Sequence, residues 1–335
     1  MIRFKFIVLL ITSLMSAFLA QNISSIPIQA VEIDALVNME QSTSDLDEET
    51  FIPPFLEQSD EPLGNARAVV GDDQREPVLS RAFPWSAVGR LEWQFENDII
   101  SSCTATLVHS DIILTNSHCL LLPYRDESSG NSSKVFVSAK RYQQLLATQR
   151  PVPKLVFKPS LINNSSPDEA TVIDVKTGWQ IDEYAPDQDW ALMKIDAPLG
   201  DRYGYLGWRS LDFSNANILE AISEKINLIG YSGDFPTDSL REYGQSAATA
   251  GVDRTCSILG VWSEEPLDNI MVHDCDTTSG ASGGPILLKF PNNNYYIIGL
   301  HARQIPLSEE VSLPNGVSTR VVNGGVQVGE WAQNR

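Results

Sequence analysis

From Pro84 onward the chain alternates short apolar runs with clusters of Gly, Pro, Asn, Asp and Ser, and it shows little of the spacing of an amphipathic helix. Such runs bounded by turn residues read as β-strands. The pattern predicts strands over Trp85–Trp93, Ser102–Val108, Ile112–Thr115, Val135–Arg141, Val152–Phe157 and Trp190–Ile195. After Pro198-Leu199-Gly200 a second series follows: Lys225–Tyr231, Glu242–Ala248, Ser257–Val261, Ile270–Cys275, Pro285–Leu288, Tyr295–Leu300 and Val317–Val321. Two sets of about six strands predict an all-β chain of two antiparallel six-stranded β-barrels, over 68–200 and 201–335, joined near 198–215. One short helix is expected at the C-terminus, over Val326–Gln333.

Ahead of the strands the pattern is different. Arg3 and Lys5 precede an apolar run from Phe6 to Leu14, and small residues follow at Ser16, Ala17 and Ala20. This is the layout of an export signal over 1–20, too short for a membrane span. Residues 21–67 carry ten acidic side chains against one basic residue, Arg67. With few aromatics and no periodicity, this stretch buries too little to fold alone. It reads as an acidic pro-segment, with Arg67-Ala68 as the processing site, or else as a spacer.

The bulk composition narrows the classes. The 335 residues are 42% hydrophobic and 20% charged, enough for a full core. A formal net charge of -19 argues against nucleic acid and against anionic membrane surfaces as partners. An exported chain with four cysteines and no CxxC pair points to disulfides rather than a metal site. Three connectivities are possible, and proximity favours Cys103–Cys119 and Cys256–Cys275. No HExxH or equivalent spacing occurs, so no metal and no cofactor are expected.

The candidate chemistry centres on Asp276-Thr277-Thr278-Ser279-Gly280-Ala281-Ser282-Gly283-Gly284-Pro285. Glycines around a serine let the backbone turn tightly enough to aim two N–H groups at one point beside the hydroxyl. Taken alone, this is also what a Gly/Ser-rich turn looks like. Of the four histidines, His118 directly follows an apolar strand and adjoins Cys119, where a disulfide would hold an imidazole in place as a general base requires. Asp189 directly precedes the strand Trp190–Ile195, where a carboxylate could reach under an imidazole. Asp182, Asp187 and Asp196 are rivals that spacing does not eliminate. His109 and His273 read as structural strand-end residues, and the seven tryptophans as core.

Taken together, Leu-Thr-x-x-His-Cys, Asp-Trp-Ala-Leu and Gly-x-Ser-Gly-Gly-Pro resemble, in that order, the motifs of the chymotrypsin-fold serine peptidases. The segments Val69–Arg75, Ile229-Gly230-Tyr231-Ser232-Gly233-Asp234 and Ile298-Gly299-Leu300-His301 are similar to the V8-like glutamyl endopeptidase branch. The likeness covers roughly residues 68–335. It implies Ser282 as nucleophile, His118 as general base and Asp189 as the group that orients it, with the N–H groups of Gly280 and Ser282 as oxyanion hole. It further implies a secreted endopeptidase made as a zymogen, acting on peptide or protein substrates without cofactor. No membrane contact is expected after signal removal, and a monomer is expected.

The resemblance leaves the specificity pocket divided. Thr277 and His301 match positions that contact a P1 glutamate, whereas Asp276 matches the position that selects Arg or Lys in trypsin. A buried carboxylate there would repel glutamate unless its side chain turned away from the pocket. The reading leans to Glu or Asp at P1, with Lys/Arg second. Ala281 stands where trypsin-like enzymes carry an aspartate that pairs with the freed N-terminus, so that ion pair is excluded. The alternative function is an inactive homologue serving as a binding or adhesion module.

Overall fold

The computed structural model describes residues 67–96, 98–125, 132–148, 151–179, 185–264 and 267–332. The expected signal at 1–20, the pro-segment up to residue 66 and the rival Asp182 lie outside the described residues. Two short strands come first, β1 (Arg67–Ala68) and β2 (Glu76–Pro77). Then come β3 (Val88–Phe95), β4 (Asp98–Leu107), β5 (Ile112–Thr115), β6 (Leu121–Arg125), β7 (Ser132–Phe136), β8 (Lys154–Pro159), β9 (Ala170–Thr177) and β10 (Ala191–Ile195). Six of these close a barrel in the order β10-β5-β4-β3-β8-β9. The barrel is filled by Leu91, Trp93, Leu107, Ile113, Phe157, Val172 and Met193, all buried. Gly89 on β3 is needed because a Cβ there would lie 2.5 Å from Lys158 O and from the Phe157 ring.

The second half holds β11 (Ile226–Gly230), β12 (Gly251–Asp253), β13 (Ile258–Val261), β14 (Met271–His273), β15 (Thr277–Thr278), β16 (Pro285–Lys289), β17 (Tyr295–Ser312) and β18 (Ser318–Gln327). Its sheet has eight strands, in the order β13-β14-β18-β17-β16-β11-β12-β2. The all-β, two-part architecture therefore stands: six strands close the first barrel, and the second part is a sheet of eight strands rather than the expected six. Strand β2 lies ahead of the first barrel in sequence but pairs with β12. The two-residue strand β1 pairs with β15, itself two residues long, placing Arg67 opposite Thr278 and Ala68 opposite Thr277.

Local readings shifted where polar residues or turn geometry intervened. The predicted strand Val135–Arg141 ends at Phe136, and Ala139–Leu146 forms a helix, α1, capped by the Ser138 hydroxyl accepting from Arg141 N–H. Only Tyr142 of this helix is buried, and its hydroxyl donates to Val172 O at 2.9 Å. The predicted strand Glu242–Ala248 begins instead at the end of a 3-10 turn, Asp238–Tyr243, and the strand comes later, as β12. Ser246 and Ala247 there have φ of 45° and 62°, which a strand does not permit. Strand β9 went unpredicted because Asp174 and Lys176 break its apolar run, although it closes the barrel between β8 and β10. Helices α2 (Leu199–Tyr203) and α3 (Ala216–Ile222) lead into the second half, and the expected C-terminal helix is α4 (Val328–Ala332).

Both disulfides form as proximity suggested, Cys103–Cys119 in the barrel and Cys256–Cys275 in the second sheet. No described helix is long and apolar enough to cross a membrane.

Candidate active site

His118 sits in the 3-10 turn Ser117–Leu120, immediately after β5. Three contacts fasten this turn to the segment that enters β10. Asn116 Nδ2 donates to Asp189 O at 2.6 Å, Ser117 Oγ donates to Trp190 O at 2.6 Å, and His118 N–H donates to Asp189 Oδ1 at 3.0 Å. The remaining carboxylate oxygen, Asp189 Oδ2, lies 2.7 Å from His118 Nδ1. An ionised carboxylate only accepts, so Nδ1 carries the proton and Nε2 keeps its lone pair. Behind the turn, Cys119 is tied to Cys103 on β4, and Trp93 Nε1 donates to Cys119 O at 2.9 Å. The imidazole is thus held from below by a carboxylate and from behind by a disulfide.

Asp189 is fully buried, and Arg303 Nη2 also reaches its Oδ2 at 3.2 Å. Burial alone would push this carboxyl up. The charge and hydrogen bonds of His118, with the Arg303 charge, outweigh that and hold it below the usual carboxylate range. The rivals are elsewhere: Asp196 accepts from Thr171 N–H, and Asp187 lies in the 3-10 turn Pro186–Gln188.

The Ser282 loop is stitched onto the same barrel strand. Thr104, next to Cys103, donates its N–H to Ser282 O at 2.8 Å and its hydroxyl to Gly280 O at 3.0 Å. The same hydroxyl accepts from Tyr231 N–H at 2.9 Å, so one threonine joins β4, the nucleophile loop and the end of β11. Gly283, at φ 80°, passes so close to the barrel that a Cβ would lie 2.2 Å from both Thr104 O and Thr115 Oγ1. The His118 turn and the Ser282 loop therefore adjoin through Thr104, Thr115 and the Cys103–Cys119 bridge. The Ser282 hydroxyl itself makes no hydrogen bond among the described residues. A catalytic hydrogen bond that tightens only with substrate is common in ligand-free peptidases.

The loop's backbone groups divide into two sets. Ala281 N–H, Gly283 N–H and Gly284 N–H are spent on Thr278 O, His301 O and Ala281 O. Those of Gly280 and Ser282 bond to nothing among the described residues. Gly280 has φ 100°, and a Cβ there would lie 2.5 Å from Tyr231 O. The two donors expected to form an oxyanion hole are therefore the two left available.

The residues expected to line a pocket separate. Thr277 and His301 are both buried, and the Thr277 hydroxyl has no hydrogen-bond partner among the described residues. Asp276 points at the N-terminal segment: its Oδ1 accepts Val70 N–H at 2.8 Å and its Oδ2 accepts Gln74 N–H at 2.7 Å. Burial, with Asp253 and Asp73 nearby, raises its pKa to about 6 despite those two bonds. This is the turned-away conformation that sequence allowed. The anchor comes from residues about two hundred positions earlier, which no local pattern reveals. His273 ends β14, as the sequence predicts, and its Nε2 lies 3.2 Å from His301 Nδ1. Arg303, two positions beyond His301, had no sequence signal at all. Cys103, His118 and Cys119 bring ligand atoms within 4.8 Å of one another, but both sulfurs are consumed in the disulfide.

The sequence profile of the trypsin-like peptidase domain matches residues 103–289, which run from the first disulfide past the Ser282 loop. Among solved structures, one described as a Glu endopeptidase in complex with MPD is similar at 22% identity. It covers 79% of this chain and 96% of its own, with a TM-score of 0.49. No curated protein matches the chain. The profile takes in more than half of the chain, which therefore belongs to the trypsin-like peptidase family of serine-type peptidases.

Proposed function

We propose that the chain hydrolyses peptide bonds through an acyl-enzyme on Ser282. His118 Nε2 takes the hydroxyl proton as the oxygen attacks the scissile carbonyl. It then returns the proton to the leaving amine, and a water repeats the sequence to release the acid. Asp189 holds the imidazole in the Nδ1–H form and stabilises its cation without taking the proton. The free N–H groups of Gly280 and Ser282 receive the oxyanion, a contribution of about 2.7–4 kcal/mol per donor where one has been removed. The observation that carries this reading is the 2.7 Å contact between His118 Nδ1 and a fully buried Asp189, in a turn that adjoins the Ser282 loop.

The finer features belong to the same proposal. The enzyme is exported, in keeping with its two disulfides. It is made with a pro-segment that is cut after Arg67. Support comes from the pairing of Ala68 with Thr277, which would leave a new amino group beside the pocket wall. At P1 we assign a side chain with acceptor oxygens, Glu or Asp. Both Asp276 oxygens are committed to backbone N–H groups, which removes the main argument for Lys or Arg, while Thr277 and His301 offer polar groups. Asp276 is then an anchor for the N-terminal segment.

A fluorophosphonate probe should label the processed enzyme at Ser282 and fail on the Ser282→Ala variant. Absence of labelling in the processed wild-type enzyme would favour the binding-module reading. A panel of peptides varied only at P1 should rank Glu and Asp first, and cleavage confined to Arg and Lys would overturn the pocket assignment.

A further inference from the structure

Among the described residues, the Asp189 carboxylate is touched by one side chain from outside the His118 turn, that of Arg303 on β17. Strand β17 carries a bulge at this point. His301 lies opposite Gly325 and Arg303 opposite Gly324, so two steps along β17 match one along β18. Such a bulge re-aims a side chain away from the regular alternation. Gly324 leaves room for the arginine stem, since a Cβ there would lie 3.2 Å from Arg303 Cγ. The Arg303 side chain is 12% exposed and that of Asp189 1%, so the pair faces little water. Arg303 Nη2 stands 3.2 Å from Asp189 Oδ2, the same oxygen that lies 2.7 Å from His118 Nδ1. A charge that never titrates is therefore two hydrogen bonds away from the general base.

We infer that Arg303 is a positioning residue for the proposed reaction: acting through Asp189 Oδ2, its fixed charge keeps His118 in the base form, and Ser282 reactive, in more acid solution than the Asp189–His118 pair alone would allow. The inference rests on the reading of Ser282, His118 and Asp189 as the catalytic group. His118 becomes a cation whenever it takes up a proton. Asp189, from the segment that enters β10, favours that cation; Arg303, from β17, opposes it. His301 also approaches from β17, but burial holds it well below the ordinary imidazole range, so it adds no charge at neutral pH. Trp179 brings an uncharged ring, its centroid 6.5 Å from that of His118. The same guanidinium helps to hold the buried Asp189 ionised, which preserves the acceptor for Nδ1–H.

The test is the pH profile of the second-order rate constant for labelling of Ser282 by an uncharged fluorophosphonate, from pH 4 to 9. This probe carries no P1 carboxylate of its own to titrate. Asp276, raised to about 6, is present in every sample and cancels in the comparison. In Arg303→Met and Arg303→Gln the acid limb of the profile should move to higher pH by about one unit, the size of a unit-charge effect across two hydrogen bonds in a partly solvated site. In Arg303→Lys, which keeps a cation, the limb should stay within about 0.3 unit of wild type. Thermal melts at pH 8 identify the variants that fold. If Arg303→Met does not, Arg303→Gln removes the charge while keeping donors. A merely structural arginine would lower the rate at every pH and leave the limb where it is, and that result would overturn the inference. A limb that moves as far in Arg303→Lys as in Arg303→Gln would overturn it as well. A processed wild-type enzyme that takes no label would sink the catalytic reading itself, an outcome distinct from labelling with an unmoved limb.

Discussion

Replacing Asp189 with asparagine isolates the claim on which catalysis depends. The carboxylate receives three donors: His118 N–H on one oxygen, and His118 Nδ1–H with Arg303 Nη2 on the other. An asparagine has one oxygen. If that oxygen keeps His118 N–H, the side-chain NH2 faces Nδ1 and can only donate to it. The imidazole must then hold its proton on Nε2, where it is useless as a base toward Ser282. The same tautomer reversal costs about 10⁴ in kcat in the best-studied triad, about 5.4 kcal/mol at 1.36 kcal/mol per tenfold. A second effect is particular to this protein: the Arg303 guanidinium, mostly buried, loses the Asp189 counter-charge. Removing one partner of a buried pair costs about 3–5 kcal/mol when nothing replaces it. The assay is kcat/KM on a fluorogenic peptide, normalised by active-site titration, with a thermal melt on the same sample. Asp189→Asn should be about 10⁴-fold slower and should melt lower. Asp189→Asn/Arg303→Met should recover melting temperature without recovering rate. An Asp189→Asn enzyme within tenfold of wild type would refute the assignment of Asp189 as the orienting group.

Four further outcomes follow from the same contacts. Gly280→Ala should lower kcat by about 10²–10³, because the Cβ collides with Tyr231 O and displaces an oxyanion donor, while KM changes little. Asp276→Asn should leave the P1 ranking unchanged but weaken docking of residues 69–75, seen as faster amide exchange at Val70 and Gln74; a swing in P1 ranking would contradict the anchor role. Removing the Cys103–Cys119 bridge, which joins residues 16 apart, should cost about 3 kcal/mol in a denaturant titration of the oxidised and Cys-less forms. For pH, His273 has a folded pKa near 3, below its unfolded value of 6.5, so its contribution to stability is full above 6.5 and is lost as pH falls toward 3. His273→Gln should therefore unfold with a shallower loss of stability across that window, measured by thermal melts in matched buffers.

The sequence by itself determined the strand-rich class, the pairing of neighbouring cysteines and the three motifs that define the family. These are local properties: an apolar run, a turn residue and the identity of a side chain leave their mark within a few positions. His118 and Asp189 were legible because each sits where a strand begins or ends, as Ser282 was from its flanking glycines. Tertiary structure decided what those residues touch. The two N–H groups that occupy Asp276 come from Val70 and Gln74, and Arg303 reaches Asp189 from another sheet. Thr104, an unremarked strand residue, joins the Ser282 loop to the barrel, and His273 meets His301 only because β18 brings their strands together. Hydrogen bonds and charge pairs act over a few ångströms while their partners lie tens to hundreds of residues apart, so only the folded chain assigns them.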